Sequence, residues 1–309
     1  MRATAEAPGK AIITGEHFVV HGAWALAAAL PRKVRVTVEP SSKFEVTSDL
    51  FGRGESRELV PVSRVVEEMA REFSEKPEVR ITIASDVPGG AGLGSSAATM
   101  VAVAAAYSRL NSLGLTANEI VSCAMVGEQS IHGKPSGVDP AISAHGGVIL
   151  FRTGAAPKGV SFEGARSLIL SYSGLNRSTK GQIGHVTKMK DRYPGMFESL
   201  AVGIGDLSLR AAEMLRRESM DELGTLLTIN HAALMSLGVS NDTLDGMVDL
   251  LLKMGSYGAK LTGAGGGGSV LAVAPEGKEK KIVSGLSARG FETFSVKIPV
   301  EGVKSWLER

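Results

Sequence analysis

Two bunches of glycine, at 89–94 and 263–268, stand out from the rest of this chain. A flexible linker would spread its glycines over a longer polar tract, whereas bunching suits backbone that must approach another group closely. The first bunch lies in Pro88-Gly-Gly-Ala-Gly-Leu-Gly-Ser-Ser-Ala97, between a strand-like run, Arg80-Ile-Thr-Ile-Ala84, and an alanine-rich helical run beginning near Ser96. Strand, glycine turn and helix start together make an anion site. Free N–H groups at a helix N-terminus point at the ligand, and the helix dipole adds positive potential. A phosphate suits such a site, with the hydroxyls of Ser95 and Ser96 available for its oxygens or for a bound magnesium ion. The structural alternative is a packing turn closed by a serine helix cap.

The better-known phosphate loops fit less well. A P-loop needs Gly-Lys-Ser/Thr, and no lysine precedes these serines. Gly92-Leu-Gly94-Ser-Ser-Ala97 does match the short dinucleotide pattern, but the acidic residue expected about 20 positions later should end a strand. The nearest candidate, Glu119, falls inside a helical pattern.

A chain of 309 residues is long enough for two lobes of roughly 150 residues each. The first half alternates strands at 33–39 and 79–85 with helical patterns at 61–73, 96–112 and 117–130, a mixed α/β lobe. The second half predicts a strand at 167–172, amphipathic helices at 194–217, 220–235 and 241–255, then strands at 259–262, 269–273 and 293–299 with a helix at 278–289. That order predicts helices on one face of a small, largely antiparallel sheet, with domains at 1–165 and 166–309. A net charge of +2, from 34 basic and 32 acidic residues spread along the chain, leaves no polycationic stripe for nucleic acid. No apolar run approaches the ~20 residues of a membrane span. The N-terminus lacks the pattern of a signal peptide, and Cys123 is the lone cysteine, so the expectation is a cytoplasmic protein with a buried, inert thiol.

Two further clusters carry polar groups at close spacing. Ala7-Pro-Gly-Lys10-Ala-Ile-Ile-Thr-Gly15-Glu16-His17 sets a lysine at the start of an apolar strand and a Glu-His pair at its end. Taken singly, these residues also read as a solvated lysine, a turn carboxylate and a strand-end histidine. In Gly127-Glu128-Gln-Ser-Ile-His132-Gly-Lys-Pro135-Ser136-Gly137-Val-Asp139-Pro140, the last pair also reads as a helix N-cap followed by proline.

Together these motifs resemble the GHMP kinases, the superfamily of galactokinase, homoserine kinase, mevalonate kinase and phosphomevalonate kinase. The segment 88–97 resembles the P-x-x-x-G-L-G-S-S-A signature, 7–17 the first motif, and Lys260-Leu-Thr-Gly-Ala-Gly-Gly-Gly-Gly268 the third. Within the superfamily, Ile131 to Asp139, Gly15 to Gly22, and Asn230-His231 through Ser240 to Asp245 are similar to the mevalonate kinases; the resemblance spans 7–272. Thr99 departs from it, since some of those kinases carry an aromatic there.

The resemblance implies an α+β, two-lobed GHMP kinase fold: a mixed α/β N-terminal lobe like ribosomal protein S5 domain 2, and a C-terminal lobe of helices on an antiparallel ferredoxin-like sheet. It implies ATP-dependent phosphorylation of the primary hydroxyl of mevalonate, with Mg2+ as cofactor and a homodimer as assembly. Asp139 and Lys10 take the catalytic positions. Pro88, Gly89, Gly90, Ala91, Gly92, Leu93, Gly94, Ser95, Ser96 and Ala97 take the ATP-binding positions, and Ser96 and Glu128 the metal positions. Glu16, His17, Thr179 and Gly265 take substrate positions, with Arg177 near Thr179. Other GHMP acceptors, a dinucleotide-dependent oxidoreductase and a catalytically silent regulatory relative are the alternatives.

Overall fold

The structure is a computed structural model and describes residues 1–49, 52–53, 59–132, 135–175 and 179–308. Two long antiparallel strands open it, β1 (Arg2–Thr14) and β2 (Ala25–Pro40), joined through a short 3₁₀ turn (Val19–His21). They continue past the predicted strand because both faces are covered. Alternation disappears and alanine takes over, with Ala3, Ala5, Ala7 and Ala11 on one strand and Ala25, Ala27, Ala28 and Ala29 on the other all buried. The lobe continues with β3 (Glu45–Ser48), β4 (Gly52–Arg53), α1 (Val60–Phe73), β5 (Val79–Ser85), α2 (Ser95–Leu110), α3 (Ala117–His132), α4 (Val138–His145), β6 (Val148–Phe151) and β7 (Lys158–Gly159). Helix α2 packs on β1 and β2, and its alanine and valine positions are buried nearly all round, as an apolar central helix requires. Helix α3 starts with a capping box: Thr116 N–H donates to Glu119 at 2.7 Å and Glu119 N–H to the Thr116 hydroxyl at 3.4 Å. Glu119 therefore ends no strand, and the dinucleotide alternative fails.

The second lobe comprises β8 (Arg166–Tyr172), α5 (Thr179–Arg192), α6 (Pro194–Arg216), α7 (Met220–Ser236), α8 (Asp242–Lys253), β9 (Gly258–Thr262), β10 (Ser269–Val273), α9 (Glu279–Ser287) and β11 (Glu292–Ile298). Its sheet runs β11-β8-β10-β9, antiparallel throughout, which is the fourth-first-third-second order of the ferredoxin-like arrangement. The last strand, β12 (Lys304–Glu308), leaves this lobe and pairs with β1, so the first sheet runs β12-β1-β2-β5-β3-β4 with β6 and β7 attached through β2. The sequence reading placed everything from 166 onward in the second lobe; by strand pairing, residues 304–308 belong with the first. One apolar cluster passes from Ala5 and Leu26 in the first sheet to Leu168 and Leu271 in the second. No helix among the described residues is long and apolar enough to cross a membrane.

Candidate active site

A cleft of about 520 Å³ lies where the two lobes meet, bordered by the end of β1, the 88–97 turn, α3, the start of α4, and Thr179, Gly263 and Ala264 from the second lobe. Two irregularities in the β1–β2 register, between Pro8 and Lys10 and between Ile12 and Thr14, bracket the lysine. Bulges of this kind re-aim side chains beside active sites. The main chain of Lys10 donates to Leu93 O at 2.8 Å, fastening β1 to the glycine turn. Its stem then runs beneath Gly94, where an added Cβ would stand 2.6 Å from Lys10 Cγ, and Gly94 holds φ +80°. Glycine is required there by both contact and conformation. Lys10 Nζ ends 3.1 Å from Asp139 Oδ2; the lysine side chain is 3% exposed and the aspartate 32%, so the cation is enclosed while the carboxylate faces the cleft.

Gly94 is the N-cap of α2, and no side chain caps the helix. The serine-cap alternative for this segment is not what forms. Ser96 instead turns its hydroxyl to Glu128 on α3, donating to Oε1 at 2.7 Å. Glu128 is buried, and burial pushes its carboxyl up to about 7, with Asp139 adding in the same direction while the Ser96 hydroxyl and Lys10 oppose. Asp139 is likewise no N-cap, because Gly137 holds that position and Asp139 lies in the first turn of α4. Of the 88–97 residues, Ala91 alone does not border the cleft; it is buried, and its carbonyl accepts from the Ser269 hydroxyl of β10 at 2.9 Å. Thr99 borders the cleft, with its hydroxyl bonded to Ser95 O at 2.8 Å.

At the other end, His17 holds φ +63°, and its Nε2 is 2.9 Å from Ala264 O in the second glycine run. Glu16 is buried, and its carboxylate pairs with Lys260, itself fully buried on β9. Thr179 borders the cleft from the first turn of α5, while Arg177 lies outside the described residues. Gly265 does not border it: a Cβ there would stand 2.1 Å from Val239 O. The 263–268 run turns between paired strands β9 and β10, and its glycines also pack closely, against Val239, Gln182 and Leu175. Cys123 is buried, and burial pushes its thiol up to about 11.

Sequence reasoning missed Lys260, Thr262 and Asn230 as parts of the site's frame. All three stood in recognised motifs, but nothing local says that Lys260 meets a carboxylate 244 residues earlier.

A turn of free amides, an enclosed ammonium against an open carboxylate, and a buried carboxyl beside a serine hydroxyl define a two-lobed small-molecule kinase. The family models described as GHMP kinases N terminal domain and GHMP kinases C terminal match residues 61–147 and 211–292. The mevalonate kinase of Aeropyrum pernix is 35% identical, covering 98% of each chain, and that of Pyrococcus horikoshii 33% identical over 97% of this chain and 96% of its own. The solved structure of L. major mevalonate kinase in complex with R-mevalonate superimposes with a TM-score of 0.83 at 28% identity, covering 96% of each. The chain belongs to the mevalonate kinase family of the GHMP kinases, which use ATP.

Proposed function

We propose that this protein transfers the γ-phosphoryl group of ATP to the primary hydroxyl of mevalonate, giving 5-phosphomevalonate and ADP. The observation that carries this is the Lys10–Asp139 pair, 3.1 Å apart in a cleft that the glycine turn also borders. Phosphoryl transfer asks a protein mainly to position its reactants and neutralise charge. Asp139 accepts the proton of the attacking hydroxyl. Lys10, held against it, offsets the charge growing on the transferring group. The amides around Leu93 to Ser96 hold the triphosphate.

A magnesium ion suits the Ser96–Glu128 pair, since a hydroxyl and a carboxyl oxygen are hard donors and Glu128 is a buried acid that a cation would compensate. Nucleotide phosphates would supply the further oxygen donors that such an ion takes. When bound, the metal neutralises phosphate charge. His17 and Thr179 face the acceptor, and Arg177 supplies a cation for its carboxylate. In this reading the division near residue 165 separates the lobe that holds the triphosphate from the one that closes over the acceptor. A homodimer, from the family resemblance, and a cytoplasmic setting, from the lone cysteine, complete it.

Asp139→Asn and Lys10→Met are expected to fold normally and to lose at least about 1,000-fold in kcat. A coupled ADP-release assay with mevalonate, phosphomevalonate, homoserine and galactose side by side tests this. Turnover near wild type in both variants removes the assignment, and preference for another acceptor changes the substrate.

A further inference from the structure

Behind the cleft, a set of buried polar side chains that the transfer does not use connects the second lobe to the end of β1. The fully buried Lys260 ammonium pairs with Glu16 and donates to Ile12 O at 3.4 Å and to Leu261 O. Two residues on, the Thr262 hydroxyl donates to Ile12 O at 3.0 Å and accepts from Ile12 N–H at 3.1 Å. Ile12 sits at the register break in the β1–β2 ladder, where main-chain groups need partners from elsewhere.

From α7, Asn230 accepts from Gly15 N–H at 3.0 Å, and its amide reaches the second oxygen of Glu16 at 3.5 Å. The neighbouring His231 accepts from Leu261 N–H at 3.4 Å, which leaves its proton on Nε2, 3.3 Å from Asp245 Oδ1 but off the line of a hydrogen bond. The Asn-His signature of α7, to which the transfer gives no task, thus fastens both strands that meet here.

These contacts alter the reading of Glu16. One carboxylate oxygen meets the Lys260 ammonium and the other the Asn230 amide, and the side chain is 1% exposed. It serves the turn that carries His17 rather than the acceptor.

We propose that Lys260 is a positioning residue: by bonding Glu16 and Ile12 it ties the end of β1 to the second lobe and fixes where Lys10 and His17 stand in the cleft. The inference rests on the kinase reading above and deepens it. The grip falls at 12–16, two residues beyond Lys10 and directly before His17. Burial pushes the Lys260 ammonium below the usual lysine range while Glu16 opposes it, so the cation depends on that one carboxylate. Replacing Lys260 leaves Glu16 buried without its counter-ion, and that turn must rearrange. A shift of about 1 Å in a reacting group is enough to cost about 100-fold in rate.

The test is Lys260→Met, assayed where circular dichroism shows it folded. Three readouts are compared with wild type: kcat and KM with ATP and mevalonate, affinity for a non-hydrolysable ATP analogue, and hydrogen–deuterium exchange of 12–17. The expected result is a kcat lower by about 100-fold, analogue affinity unchanged, and faster exchange at 12–17 but not at 88–97. A purely structural role would lower the unfolding temperature yet leave kcat per folded molecule intact. A kcat within about twofold of wild type, or unchanged exchange at 12–17, overturns the proposal. Should Lys260→Met fail to fold, Thr262→Val decides: it removes only the hydroxyl bonded to Ile12 and is expected to lower kcat by about tenfold with the same exchange pattern, and unchanged kcat there is equally fatal. A wild-type protein that does not turn over mevalonate sinks the functional reading instead, and the exchange rates still report whether Lys260 holds the strand.

Discussion

Glu128 sits in an environment that conflicts with its chemistry. A carboxyl pushed up to about 7 is partly protonated at neutral pH, and burial is the largest cause, with the nearby Asp139 adding to it. The folded-state value lies above the unfolded one, so the contribution to stability is fully present below the unfolded pKa and is lost as pH rises through about 7. Above that, the metal-free fold carries an ionised carboxylate that it solvates poorly, at a cost of order 3 kcal/mol. Glu128→Gln keeps the shape and can still accept from Ser96 without the charge. Denaturant titrations without divalent cations should show this variant more stable than wild type at pH 8 and about equal to it at pH 5. Equal stability at both values would mean that the wild-type carboxyl titrates normally.

At the scale of elements, the glycine turn does two tasks that cannot be separated. It presents amides toward the cleft, and at Gly94 it leaves room for the Lys10 stem underneath. Gly94→Ala imposes a left-handed conformation on an L residue, worth ~1–2 kcal/mol, and puts a methyl into that stem. The variant is expected to unfold at lower denaturant and to lose at least about tenfold in kcat, since Lys10 must move from Asp139. A variant with reduced stability but normal kcat would show that the stem relocates freely. This turn was legible in the sequence because its chemistry is local: strand, glycines and helix start are contiguous. The Ser96–Glu128 and Lys10–Asp139 contacts became legible only through the family motifs, since no spacing rule joins one helix to another 32 residues on, or a strand to a helix more than 100 residues later. Lys260 was not legible as an anchor at all. Helix α5 was missed because its polar sequence shows little apolar periodicity, with Val186 its one buried side chain, and β12 because a five-residue strand at the chain's end gives too short a pattern.

For the whole molecule, the consequence of that last strand is larger than its length suggests. Two lobes joined at one chain crossing could swing freely, but here the chain returns. β12 lines up along β1 from Arg2 opposite Glu308 to Glu6 opposite Lys304 and packs on α2, so β1 lies between β2 and β12 in the sheet. The strand that carries Lys10 is therefore held on one side by the C-terminal segment and, through Ile12, by β9. Removing residues 304–309 leaves the N-terminal half of β1 as an open edge, with unpaired N–H and C=O groups ready to pair with another molecule. The Lys260 and Asn230 contacts at 12–16 stay in place, as does the bond from Lys10 N–H to Leu93. The shortened protein is thus expected to melt several degrees lower and to aggregate in a concentration-dependent way, while the folded monomer keeps kcat within about threefold. Light scattering during a thermal ramp, with turnover measured on the monomer peak from size exclusion, checks both parts. A folded monomer that is stable but inactive would place the control of Lys10 in β12 rather than in the contacts from the second lobe.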